Sequence, residues 1–245
     1  MSTEYPDLAW VPPKAWRNAN RTTVQVVIIH TTEGAANGTA AENGAAYDQE
    51  RTDGTSTHYF HDSNSTIQCV RTEDIAYAAR TQGNLRGIQH ELCTRAGSAI
   101  WTDAYHTALL ARAAKQTARD CSKWNIPVRR ISAGQLAAGV KGICGHVDAT
   151  NAFPADGGTH TDPGAAFPWT RFISLVQAEY DKLKGDDMDL TPQNLKDIAD
   201  AVAARLKIGD KGMFDKLGLD LATDDSGVAK GIRQQVSAVV NPDAR

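Results

Sequence analysis

Apolar positions along this chain fall into strand-like runs that alternate with helix-like stripes. Residues 24–29 (VQVVII) are nearly all apolar and β-branched, which predicts a strand buried on both faces that leads into His30-Thr31. Residues 39–51 have helical composition and run into an Asp53-Gly54 turn. Residues 57–60 and 66–70 predict two strands joined by the polar turn Asp62-Ser63-Asn64, and residues 87–93 predict another strand. Asp103 is placed to cap a long helix over 104–124 that must stop before Pro127. Leu109, Leu110, Ala113 and Ala114 give that helix an apolar face, with Lys115 and Arg119 outside it. A short strand over 140–144 runs into Gly145-His146, and a Gly/Pro/Asp-rich loop over 151–164 follows. A second amphipathic helix is expected over 169–183, with Phe172, Leu175, Val176 and Leu183 inward. The first 20 residues carry Pro6, Pro12 and Pro13 and read as an irregular arm whose Trp10 and Trp16 pack onto the body.

The pattern changes at Gly185-Asp186-Asp187, which reads as a linker. Thr191-Pro192 then starts a helix, with Thr as cap and Pro in the first turn, and Leu195, Ile198, Ala199, Val202 and Leu206 form its stripe. A further short helix is expected over 213–217, and another after Asp225-Ser226 with Val228, Ile232, Val236 and Val239. Stripes this thin bury little core alone. The tail is therefore expected to dock on the main body, self-associate or contact a partner. The expected architecture is an α/β domain over 1–184, a central mixed sheet flanked by helices, followed by a helical segment over 185–245.

Composition narrows the function classes. Lys and Arg number 26 against 29 Asp and Glu, a net charge of -3 in 245 residues. Residues 1–184 hold 18 basic and 18 acidic residues, and residues 185–245 hold 8 and 11, so the acidity sits in the tail. Nothing here gives the clustered cations that nucleic-acid binding needs. No apolar run approaches the roughly 20 residues of a membrane span. The opening MSTEYPDLAW has neither the basic nor the apolar region of a secretory signal, which predicts synthesis in a cytoplasm. Cys69, Cys93, Cys121 and Cys144 show no C-x-x-C spacing and are expected to be reduced thiols.

Candidate chemistry gathers at His30, His146 and Asp162. Two of them adjoin predicted strands and the third lies in the loop His160-Thr161-Asp162-Pro163-Gly164. Catalytic zinc takes three protein ligands and leaves a fourth position for water, and strand ends suit that rigidity. From spacing alone, a zinc site and ordinary strand-end histidines both remain open. His61, His90 and His106 read as surface or helix-face residues.

An ordered set of short motifs sharpens the picture. VVIIHTTEG, STHYF, GIQHEL, WTDAYHTALL, GICGHVD and HTDPGAAFPW follow one another between about residues 23 and 175. Together they resemble the zinc-dependent N-acetylmuramoyl-L-alanine amidases of type 2, the fold shared with peptidoglycan-recognition proteins. The resemblance implies a zinc hydrolase that cuts the amide between N-acetylmuramic acid and L-alanine in bacterial peptidoglycan. It implies His30, His146 and Asp162 as zinc ligands, Glu91 as the residue that activates water, His160 as the oxyanion partner, and His58 as an active-site histidine. Two departures stand out. His160 replaces the family's lysine, and Gln89-His90-Glu91 replaces Gly-Ile-Glu. Some relatives use a cysteine ligand, but it occupies the position of Asp162 here, so Cys144 is expected to be a buried thiol. Asp148 or Asn151 is expected to orient a ligand histidine.

With no signal peptide in view, the biological expectation is a phage endolysin that reaches the cell wall after release. Two rivals are a cytosolic amidase that recycles soluble muropeptides and a non-catalytic peptidoglycan-binding module that has lost its metal. The second is disfavoured because all three candidate ligands are present.

Overall fold

In the computed structural model, which describes residues 3–97 and 101–186, six strands form one mixed sheet. The N-terminal arm contributes β1 (Ala9–Trp10), and the apolar run forms β2 (Val26–Thr31), buried at every residue. Helix α1 (Ala40–Glu50) precedes the hairpin of β3 (Tyr59–His61) and β4 (Thr66–Gln68). Helix α2 (Arg80–Arg86) leads straight into β5 (Gly87–Leu92). The long α3 (Ala104–Trp124) follows, then α4 (Ala133–Ala137), β6 (Gly142–Gly145), α5 (His146–Ala152) and α6 (Trp169–Asp186). The sheet order is β1-β4-β3-β5-β2-β6, and only the β3–β4 pair is antiparallel.

Strand periodicity sorts the core into two layers. Val27 and Ile29 of β2, with Ile88 and Leu92 of β5, pack against Leu109, Leu110 and Ala113 of α3 and against Phe172 and Val176 of α6. Val26 and Ile28 face the other way, toward Ala79, Leu136, Cys144 and Ala149. On that second side Phe60 and Ile67 meet Ala41 and Ala45 of α1. Each fully buried Ile, Leu or Phe contributes about 1.5–3 kcal/mol, which makes β2 and β5 the rigid centre of the sheet. Helix α3 starts where expected: the Asp103 carboxylate accepts from the His106 amide at 2.8 Å. It ends at Asn125, which adopts a left-handed conformation (φ 51°).

Several expectations are corrected. The arm is not wholly irregular, because Ala9–Trp10 pairs with β4. Helices α2, α4 and α5 were not expected from pattern; each is only five to seven residues long and shows too little stripe. His61 and His90 are buried rather than on the surface, because Asp120 of α3 partners His90, and Thr66 and His90 partner His61; His106 lies on a helix as expected but is buried, with Asp103 at its Nδ1. All four cysteines are free and buried, Cys144 among them. No helix among the described residues is long and apolar enough to cross a membrane. The helices expected at 191–206, 213–217 and after Ser226 lie outside the described residues.

Candidate functional site

Register places the first two site residues side by side. The parallel β2–β5 ladder pairs Ile28 with Gln89 and His30 with Glu91, so these residues share one face near the carboxyl ends of two central strands. His146 opens α5 directly after β6. The Asp148 carboxylate accepts from the Gly145 amide at 2.8 Å and from Arg130 at 2.6 Å, which fixes the start of that helix. Asp148 thus holds the backbone beneath His146 rather than its ring, a correction to the expected role; Asn151 is exposed.

Asp162 arrives on a loop that must come very close to the β6–α5 junction. Its carbonyl accepts from the Val147 amide at 3.0 Å. A Cβ on Gly145 would lie 2.7 Å from Pro163 Cδ, so only glycine admits this approach. Gly164, at φ 86°, then turns the chain away.

The three candidate ligands therefore converge. Asp162 Oδ2 lies 3.3 Å from His30 Nδ1, and Oδ1 lies 3.2 Å from His146 Nδ1. One ligand atom from each residue falls within 4.8 Å of the others. Glu91 Oε1 is 3.9 Å from His30 Nδ1, and its side chain is 18% exposed. His160 stacks on His146, with ring centroids 3.9 Å apart and planes 18° apart. At 45% side-chain exposure, it forms the rim of the site.

Electrostatics here favour a cation. Burial works to raise the Asp162 pKa, but hydrogen bonds from His146 and His30 outweigh it and hold the carboxylate well below its usual range. Burial opposes charge on His30, yet the charges of Glu91 and Asp162 and its hydrogen bonds raise it to about 9. His146 is lowered to about 4 by burial and by the His30 charge. Burial pushes Glu91 up to about 7, with His30 pulling the other way and Asp162 adding to the rise. A proton on His30 Nδ1 thus does for these carboxylates what a divalent ion would do between the same atoms. Glu91 Oε2 and His146 Nε2 are buried with no hydrogen-bond partner among the described residues, unusual for native interiors. Two imidazoles, one carboxylate and a further acid match the donor chemistry of a zinc hydrolase site, so the residues fit such a metal.

His58 lies elsewhere. Its Nδ1 accepts from the Gln89 amide at 2.9 Å, and its Nε2 lies 3.3 Å from the Asp74 carbonyl and 3.2 Å from Arg21. Both ring nitrogens are committed inside the body, so His58 braces β5 instead of joining the cluster. Sequence reasoning missed Gln89, whose side chain bonds the His30 ring at 2.9 Å. Strict alternation along β5 was the available signal, because Gln89 must share the face of Glu91.

A cleft of about 450 Å³ runs from Glu91 along α1, lined by Tyr47, Asp48, Arg51, Thr57 and Phe60 among others. Tyr47 is the most exposed large apolar side chain among the described residues.

Comparison with known proteins follows the same line. The family described as N-acetylmuramoyl-L-alanine amidase (Amidase_2) matches residues 20–165. The fold is similar to that of Staphylococcus aureus hydrolase AmiA in complex with its ligand, at 15% identity and a TM-score of 0.59, covering 76% of this chain and 87% of that one. It is also similar to a mutant of PlyL, at 17% identity and a TM-score of 0.50, covering 70% and 99%. No curated protein matches the chain.

Proposed function

This chain belongs to the N-acetylmuramoyl-L-alanine amidase family, and we propose that it hydrolyses its peptidoglycan amide with a zinc ion held by His30, His146 and Asp162. The observation that carries the metal assignment is their convergence: three chemically apt ligand atoms within 4.8 Å of one another, drawn from two strand ends and a distant loop. When bound, zinc supplies a Lewis acid that polarises a carbonyl and acidifies water.

The chain's own groups account for the rest. Glu91, with one free buried oxygen and a pKa raised to about 7, is poised to take a proton from the attacking water. The same carboxyl then returns that proton to the departing amine of L-alanine. His160, at the exposed rim, donates an N–H to the substrate carbonyl oxygen as it gains negative charge; a donor of this kind is worth about 10²–10³ in rate. The cleft beside Glu91 seats the stem peptide, and Tyr47 offers it an apolar platform.

The setting we propose is lysis of intact walls, of the phage endolysin kind, with residues 185–245 as a wall-targeting or assembly segment. The family resemblance and the amphipathic stripes of the tail support this reading. Three measurements test it together: zinc content of the purified protein, free amines against new reducing ends in digested wall, and activity after chelation. Zinc near one ion per chain, new amines without new reducing ends, and loss of activity on chelation are expected. Undiminished activity in a metal-free protein would reject the metal assignment. Removal of residues 187–245 is expected to spare hydrolysis of a soluble muropeptide while weakening action on whole walls. Equal loss in both assays would make the tail part of the catalytic fold, and better turnover of the soluble substrate by the full chain would favour recycling.

A further inference from the structure

Behind His30 lies a side chain with only one way to be oriented. Gln89 is fully buried. Its amide Nε2 donates to the Gly83 carbonyl of α2 at 3.2 Å, and its Oε1 lies 2.9 Å from His30 Nε2. Exchanging the amide's nitrogen and oxygen would set two carbonyl oxygens against each other, so the Gly83 contact fixes the assignment. His30 Nε2 must then carry a hydrogen and donate it. In the neutral ring the lone pair therefore sits on Nδ1, the atom facing Asp162 at 3.3 Å and Glu91 at 3.9 Å.

The Gln89 backbone is pinned as firmly as its side chain. Its amide donates to His58 Nδ1 at 2.9 Å, and its carbonyl accepts from Thr57 Oγ1 at 3.0 Å. This explains why His58 is buried within hydrogen-bond reach of β5 yet outside the cluster: it holds the residue that holds His30.

Resting on the metal site proposed above, we propose that Gln89 is a positioning residue that orients His30 and makes Nδ1, not Nε2, its ligating nitrogen. An outer partner of a ligating histidine commonly changes metal affinity by 10–100-fold. The Gln89→Leu and Gln89→Asn variants test this: leucine removes the acceptor, and asparagine is one methylene too short to span Gly83 and His30. Gln89→Glu keeps the acceptor for His30, and in its protonated form an O–H takes the place of the amide donor to the Gly83 carbonyl. Two readouts are taken on full-length protein: zinc affinity by chelator competition, and the imidazole N–H signal of His30 in nitrogen-15 spectra of metal-free protein.

Wild type is expected to show a slowly exchanging Nε2–H signal, lost in Gln89→Leu and Gln89→Asn. Both variants should still fold and should bind zinc about 10–100-fold more weakly, and Gln89→Glu should restore both readouts. Unchanged zinc affinity and an unchanged His30 signal in either folded variant would overturn the proposal. A wild type that takes up no zinc, yet shows the signal that Gln89→Leu loses, would sink the metal reading while supporting Gln89 as the residue that orients His30.

Discussion

Two clusters of histidines flank β5, one on each face, and they are built on opposite rules. On the α3 face, His61 Nδ1 lies 3.0 Å from Thr66 Oγ1, His61 Nε2 lies 3.1 Å from His90 Nδ1, and His90 Nε2 lies 2.9 Å from Asp120. Asp120 also accepts from the Tyr59 hydroxyl and the Gln116 amide. Every ring nitrogen there has a partner. On the other face, His30 and His146 each present Nδ1 to Asp162, and Glu91 Oε2 and His146 Nε2 have no partner among the described residues. The residue types are nearly the same. The difference lies in what is left unsatisfied: a closed network specifies a fold, and an open one specifies a ligand.

Breaking the open cluster should have the largest functional effect and the least structural one. His30→Ala or Asp162→Ala is expected to abolish zinc uptake and reduce amide hydrolysis to background, since two ligands hold the ion poorly. Elemental analysis beside an amine-release assay checks this; a variant that keeps full metal content and full rate removes the residue from the ligand set. Glu91→Gln comes next. It preserves shape and removes the base, so zinc content should persist while the rate falls by about 10²–10⁴. Loss of zinc in that variant would move Glu91 from proton transfer to metal binding.

The closed cluster should respond the other way. Asp120→Ala strips a hydrogen-bond partner from His90, Tyr59 and Gln116 in a fully buried setting. A cost of about 2–4 kcal/mol in stability is expected from groups left unpaired, with the rate per folded molecule nearly unchanged. Urea unfolding and an assay normalised to folded protein separate the two. A rate that collapses while stability holds would tie the network to catalysis.

The same contrast explains what could be read from the chain beforehand. Strand β2 was legible because burial on both faces makes it nearly all apolar, and helices α3 and α6 because burial imposes a period on their residues and Asp103 marks a cap. The candidate ligand set was legible only through motif order, since spacing left His30 and His146 indistinguishable from other strand-end histidines. Helices α2, α4 and α5 were not legible: each is shorter than the span over which a stripe can repeat. His61 and His90 looked like surface residues because the groups that satisfy them, Asp120 above all, lie on another element. His58 was misplaced for a related reason. Its local motif suggested the site, but Asp74, Arg21 and the Gln89 amide take both of its nitrogens.

A pH dependence is the smallest effect expected. Burial pushes Asp120 up to about 8 and lowers His90 to about 3, so near neutral pH both are uncharged. Protonated Asp120 then donates to His90 Nε2, His90 Nδ1–H donates to His61 Nε2, and His61 Nδ1–H donates to Thr66 Oγ1, a chain with one direction and no bare charge. Folded Asp120 keeps a proton that the unfolded chain releases above about pH 4, so this group makes stability fall as pH rises toward about 8. His90, and His61 with it, work oppositely: the folded chain lacks protons that unfolded histidines carry below about pH 6.5. Their contribution to stability therefore rises with pH up to that value and offsets the loss from Asp120. Within this cluster the net decline is confined to about pH 6.5–8. Asparagine at 120 cannot ionise yet keeps an N–H to offer His90, so Asp120→Asn should remove that decline. Urea midpoints measured at pH 7 and pH 8.5 should fall further in wild type than in the variant, where the raised pKa values of His30 and Glu91 still act. A fall of the same size in both proteins would mean that Asp120 is ionised throughout and that the chain of hydrogen bonds runs in reverse, starting from the Thr66 hydroxyl.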